Sequence, residues 1–174
     1  MAFLWRHGVE DCGERIPAVT ARIMLGGKLD AFSGFVPGVF EEALVTLENR
    51  RPLYILGGFG GASEVLANAL LTTGSDRPAE LTLGWLSSRN SELPTLLQIA
   101  DQTELPSEAR STSVMLDALF AFAESARSNP SAVLNTGLDD EETHELLTTR
   151  SITTAVNLVR KGLVAMEKFE QLPA

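Results

Sequence analysis

Two short apolar runs, each ended by a glycine doublet and set about thirty residues apart, constrain this chain more than any other feature. The first is Ala21-Arg22-Ile23-Met24-Leu25-Gly26-Gly27-Lys28, and the second is Pro52-Leu53-Tyr54-Ile55-Leu56-Gly57-Gly58-Phe59-Gly60-Gly61. A run of this length, apolar at nearly every position, reads as a buried parallel strand. The spacing is that of a strand–helix–strand unit, whose crossover is right-handed. Both glycine turns then leave the same edge of one sheet, where open α/β sheets bind ligands.

The segment between the runs supplies the helix. Pro37 suits a first helical turn, and Phe40, Ala43, Leu44 and Leu47 fall on one face at i, i+3, i+4 and i+7. A second helix follows Gly61 through Val65, Leu66, Ala69 and Leu70 to Gly74. Residues 1–19 read as a lead-in and residues 20–174 as the module. Within it, 20–75 form the strand–helix–strand–helix part and 76–174 a mainly helical part. Helices are expected over Leu93–Ala100, Thr112–Arg127 and Ile152–Phe169, with Asp139 to Glu142 acidic at the start of another. Leu81–Trp85 is a weak strand candidate. Two parallel strands cannot stand alone. The remaining strands must come from residues outside the chain, or another copy completes the sheet. The expected class is therefore α/β, as the C-terminal portion of a larger nucleotide-binding fold with a helical tail.

Charge narrows the partners. Of 174 residues, 14 are Lys or Arg and 23 Asp or Glu, a net charge of −9. An acidic chain is poorly suited to tracking a phosphate backbone, so no nucleic-acid partner is expected. Residues 1–74 carry about −2 and the rest about −7, which leaves the glycine turns in the nearly neutral half. The single cysteine, Cys12, excludes an internal disulfide and a cysteine-rich zinc site. No signal peptide or membrane-length apolar run is present in the sequence, and a cytoplasmic location is the expectation. Neither a metal nor a resident cofactor is expected. His7 and His144 read as surface residues, and Cys12 has no histidine partner that would make it a nucleophile.

The candidate ligand residues cluster at the turns. Glycines let backbone N–H groups approach a phosphate at a helix N-terminus, which points to Gly26, Gly27, Gly57, Gly58, Gly60 and Gly61. The spacing is neither a Walker loop nor a dinucleotide fingerprint. The alternative is that these glycines serve only tight turns and close packing. Lys28 either reaches a phosphate as a point charge or is a solvated loop residue. Arg22 either needs a partner inside the strand or lies exposed at its start. Pro37 and Gly38 open the helix that carries Glu41 and Glu42. Those carboxylates could hold ribose hydroxyls or act as general base at an N-glycosidic bond, or simply favour the helix dipole. Phe59 could face a base or pack internally.

Three stretches resemble the SLOG superfamily: Arg22 to Lys28, Gly34 to Ala43 and Pro52 to Ala62. Asn135 to Leu147 and Leu158 to Leu163 resemble the helical C-terminal segment of its prokaryotic defence and nucleotide-signalling branch. The resemblance implies a Rossmann-like parallel sheet with flanking helices, related to the lysine-decarboxylase-like cytokinin-activating hydrolases. It also implies either a nucleotide sensor, with ligands such as cyclic ADP-ribose isomers, or an enzyme cleaving an N-glycosidic or phosphoribosyl bond. The enzyme branch carries a Pro-Gly-Gly-x-Gly-Thr-x-x-Glu loop. Here Pro37-Gly38-Val39-Phe40-Glu41-Glu42 keeps Pro-Gly and an acid but lacks the other glycines and the threonine, which favours binding over catalysis.

The leading expectation is a nucleotide-ligand-binding sensor module, for NAD-derived or cyclic nucleotides in a bacterial defence or signalling system. The alternatives are an N-glycosidic-bond hydrolase using Glu41 or Glu42, and a purely structural or oligomerisation module. The expected partners are a small nucleotide and a second copy or further part of the chain, with no membrane.

Overall fold

The computed structural model describes residues 20–72, 76–102 and 111–170. The lead-in, with Trp5, His7 and Cys12, lies outside the described residues. Strands β1 (Arg22–Leu25) and β2 (Leu53–Leu56) pair in parallel, with Arg22 opposite Leu53 and Leu25 opposite Leu56. Between them runs α1 (Gly38–Glu48), and after them α2 (Gly61–Leu71). The remainder is helical: α3 (Leu83–Arg89), α4 (Leu93–Gln102), α5 (Thr112–Ala126), α6 (Pro130–Leu134), α7 (Asp140–Thr148) and α8 (Ile152–Glu170). This is an α/β architecture of two parallel strands with flanking helices, consistent with part of a Rossmann-like fold.

Alternation along β2 builds a three-layer arrangement. Leu53 and Ile55 face a core shared with Phe40, Ala43 and Leu44 of α1, Leu66 of α2, and Leu116 and Leu119 of α5. Tyr54 and Leu56 face the opposite cluster, with Leu146 of α7 and Ala155, Leu158 and Val159 of α8. All four β2 residues are buried, as a strand covered on both faces requires. β1 differs. Met24 is buried on the α1 side, whereas Ile23 and Leu25 are 54% and 55% exposed on the other.

Local signals explain most boundaries. Pro37 accepts the amides of Phe40 and Glu41 on its carbonyl and so opens α1. Asp139 and Glu142 form a reciprocal capping box that starts α7. Ser111 starts α5 by accepting the Val114 amide. Two elements depart from the sequence expectation. Leu81–Trp85 is not a strand: a 3-10 turn (Ala79–Leu81) leads into α3, because the Thr82 hydroxyl accepts the Trp85 amide and caps a helix there. Asn129-Pro130 ends α5 and also starts α6, since Asn129 caps the Ala132 amide at 3.1 Å and proline fits the first helical position.

The helical tail fixes the loop that follows the first glycine turn. Asn90, buried, donates to the Phe32 carbonyl at 2.7 Å, and Thr112 donates to the Phe35 carbonyl at 2.9 Å. On the far side, α8 lies close enough to the sheet that a Cβ at Gly162 would stand 2.3 Å from the Thr136 oxygen and 2.7 Å from the Tyr54 hydroxyl. The Tyr54 hydroxyl donates to the Thr136 carbonyl at 2.8 Å, and burial pushes the phenol up to about 12.

Candidate functional site

Both glycine turns leave the carboxyl ends of their strands, and the structure brings them into direct contact. At the first turn, Gly26 and Gly27 have φ of +67° and +103°. At the second, Gly57–Phe59 form a 3-10 turn, and Gly60 (φ +85°) and Gly61 (φ +67°) lead into α2. The Ala62 amide donates to the Gly27 carbonyl at 3.1 Å, and the Ser63 amide donates to the Gly26 carbonyl at 2.8 Å. The first turn thus satisfies donors that an isolated helix would leave open at its N-terminus.

The glycines divide into two groups by the space around them. A Cβ at Gly61 would lie 2.5 Å from the Gly27 oxygen, and one at Gly27 would lie 2.6 Å from Val39 Cγ2. At Gly57 it would meet the Leu147 oxygen at 2.4 Å, and at Gly58 the Thr149 oxygen at 2.1 Å. These four glycines are required by close packing, against backbone at Gly58 and Gly61, against the Val39 and Ala62 side chains at Gly27, and against both the Ala67 side chain and the Leu147 carbonyl at Gly57. At Gly26 and Gly60 a Cβ would meet nothing within 4 Å, so these two turn an open side outward.

The other candidates also separate. Lys28 is exposed beside the first turn and makes no ion pair among the described residues. Pro37 is buried and Gly38 begins α1 beneath that turn. Arg22 starts β1, at the strand end away from the turns. Its guanidinium donates from Nη1 to Glu42 Oε2 at 2.5 Å and from Nε to Thr46 Oγ1 at 2.9 Å. Arg22 and Glu42 therefore tie β1 to α1. Glu41 is buried in the first turn of α1 and is itself engaged. Phe59 is half-buried and packs against the Tyr54–Leu56 cluster. His144 is exposed.

One residue at the edge escaped the sequence reading. Ser63, third in α2, is fully buried, and its hydroxyl finds no hydrogen-bond partner among the described residues. Its position directly after Gly60-Gly61-Ala62 was the available signal.

Two hollows lie elsewhere. A cavity of about 20 Å³ sits in the core among Ala43, Leu53, Leu66 and Leu119. An open cleft of about 720 Å³ lies beside Leu47, Glu48, Arg50, Ser125 and Asn135, at the end of the strands opposite the turns. Among the described residues no cluster of three His, Cys, Asp or Glu could hold a metal ion, and no helix is long and apolar enough to cross a membrane.

Comparison with curated proteins and with solved structures gives no match. The family model for SLOG cluster2 matches residues 14–146, which includes both strands, both glycine turns and the helices through most of α7. With well over half of its length matched, this chain belongs to the SLOG cluster2 family.

Proposed function

We propose that this chain is a nucleotide-ligand-binding module whose ligand phosphates meet the outward sides of Gly26 and Gly60, with Lys28 supplying positive charge. One observation carries the reading. These two glycines have positive φ and open space where a side chain would stand, at the shared carboxyl edge of two parallel strands and next to a lysine that makes no ion pair among the described residues. SLOG membership supports a nucleotide-related module, and NAD-derived or cyclic nucleotides of bacterial defence and signalling are the ligand class proposed. Glu42 is held by Arg22 and Glu41 is buried, so binding is better supported than hydrolysis at an N-glycosidic bond.

The test is thermal unfolding of the chain with NAD, ADP-ribose, cyclic ADP-ribose isomers, AMP and ATP, run beside Lys28→Glu. A ligand that binds only the native state raises the midpoint. Lys28 is exposed, so the variant should fold normally and lose most of the shift. No shift with any of these nucleotides, or an equal shift in the variant, overturns the assignment. Gly58→Asp is unsuited to this purpose, because its side chain would collide with the Thr149 carbonyl and disturb the fold.

A further inference from the structure

The end of α7 brings a second cation to the glycine edge. The backbone there turns against the second glycine turn: a Cβ at Gly58 would lie 2.1 Å from the Thr149 oxygen, 2.6 Å from its carbonyl carbon and 2.7 Å from the Thr148 oxygen. That carbonyl carbon is bonded to the amide of Arg150, so Arg150 starts one peptide bond from the contact. Its side chain is exposed and makes no ion pair among the described residues. The corner that carries it is held on both sides. The Thr149 amide donates to the Glu145 carbonyl at 2.8 Å, and the Thr149 hydroxyl accepts the Ser151 amide at 3.2 Å.

Contacts across the edge give its order. Lys28 follows Gly26 and Gly27, Gly61 presses on both of these, and Gly58 at the other end of the second turn presses on Thr149. The open sides of Gly26 and Gly60 therefore lie between Lys28 on one flank and Arg150 on the other. Neighbouring strands are about 4.8 Å apart, so these flanks are separated by at least that spacing. Charge points the same way. Glu64, exposed in the first turn of α2, offsets one positive charge here, and Asp30 is matched by Arg89 at 3.9 Å. With Lys28 alone the edge is neutral. Arg150 makes it positive, on a chain whose net charge is −9.

We propose that Arg150 is a second phosphate contact of this site, and that the module thereby selects nucleotides carrying a diphosphate over monophosphates. The inference rests on the reading of Gly26, Gly60 and Lys28 as phosphate-facing. A guanidinium binds phosphate through two parallel N–H···O bonds, whereas an ammonium acts as a point charge. One phosphate meets Lys28 and the other meets Arg150, and a single phosphate does not span both flanks. Arg150 lies past residue 146, so this selectivity belongs to the tail and not to the stretch matched by the family model.

Calorimetric titration of the full chain with ADP-ribose and with AMP tests the proposal. The parent should bind ADP-ribose at least ~10-fold more tightly than AMP. Arg150→Gln should weaken ADP-ribose about 10-fold and change AMP by less than about 2-fold. Arg150→Lys should recover part of the loss, since it keeps the charge without the fork. The position is exposed, so both variants should unfold at the parent's midpoint without ligand. ADP-ribose affinity that survives Arg150→Gln but not Lys28→Glu overturns this assignment alone and leaves the phosphate reading standing. A parent that binds AMP as tightly as ADP-ribose, or equal losses for both in Arg150→Gln, overturns the selectivity. Binding of neither overturns it as well, and the phosphate reading then stands or falls on the wider nucleotide series.

Discussion

The amide of Ser63 donates to the carbonyl of Gly26 at 2.8 Å, so the turn that ends β1 caps the helix that follows β2. Neither turn holds its shape alone. The first depends on α2 for its carbonyls, and α2 depends on the first turn for its initial donors. An anion arriving at this edge meets glycine faces and a lysine, with the first α2 amides already engaged.

Gly61→Ala should therefore cost far more than Gly26→Ala, although both positions have positive φ. At Gly26 the penalty is left-handed backbone alone, about 1–2 kcal/mol. At Gly61 a collision with the Gly27 carbonyl is added, and more than ~3 kcal/mol is expected. Urea unfolding of the two variants gives the comparison, and equal losses would mean that the turns do not press on each other.

Glu42→Gln should lower stability by about 1 kcal/mol, since it removes the charge paired with half-buried Arg22 while the Thr46 contact remains. If the module only binds, nucleotide affinity should be unchanged in this variant. Release of free base by the parent chain, lost in Glu42→Gln, would instead favour the hydrolytic reading.

Tyr54 is the one tyrosine in the chain, so phenolate absorbance reports it alone. Burial raises its pKa from about 10 to about 12 in the folded chain, so the native state keeps a proton that the unfolded state releases. Its contribution to stability is complete below pH 10 and is lost as the pH rises through 12. The absorbance should titrate near pH 12, or together with alkaline unfolding. Tyr54→Phe should remove this pH dependence and cost about 1 kcal/mol at neutral pH through the lost bond to Thr136.

Arg50 has φ of +52° just past the end of α1. Its amide reaches the Leu47 carbonyl, and that of Arg51 reaches Thr46. This is a Schellman ending with an arginine where glycine is normally found. Arg50→Gly should stabilise the chain by about 0.5–1 kcal/mol in chemical denaturation, because relief of the left-handed strain exceeds the added freedom of the unfolded chain.

Much of this architecture is legible along the chain because its causes are local. The glycine-ended runs mark both strands, the Phe40, Ala43, Leu44, Leu47 stripe marks α1, and Asp139 with Glu142 marks α7. What is not legible depends on distant partners. Nothing near Gly57 and Gly58 in sequence reveals that Leu147 and Thr149 press against them, about ninety residues later. A glycine kept for packing and one kept open look alike in sequence, so Gly58 and Gly60 become distinguishable only once α7 is in place. Arg22 left two readings, and Glu42 and Thr46 decide for the partnered one. At Leu81–Trp85, apolar composition suggested a strand, but the Thr82 cap sets a helix.

The family match stops at residue 146, inside α7, but the folded body does not. Beyond that point come Leu147, which belongs to the core of Leu53 and Ile55, and all of α8, which lies over Tyr54 and closes on it at Gly162. A chain cut where the match ends would leave the middle of β2 open to water on one face. The stretch recognisable by descent and the stretch able to fold are thus of different lengths, and any excised version of this module must carry the last helix with it.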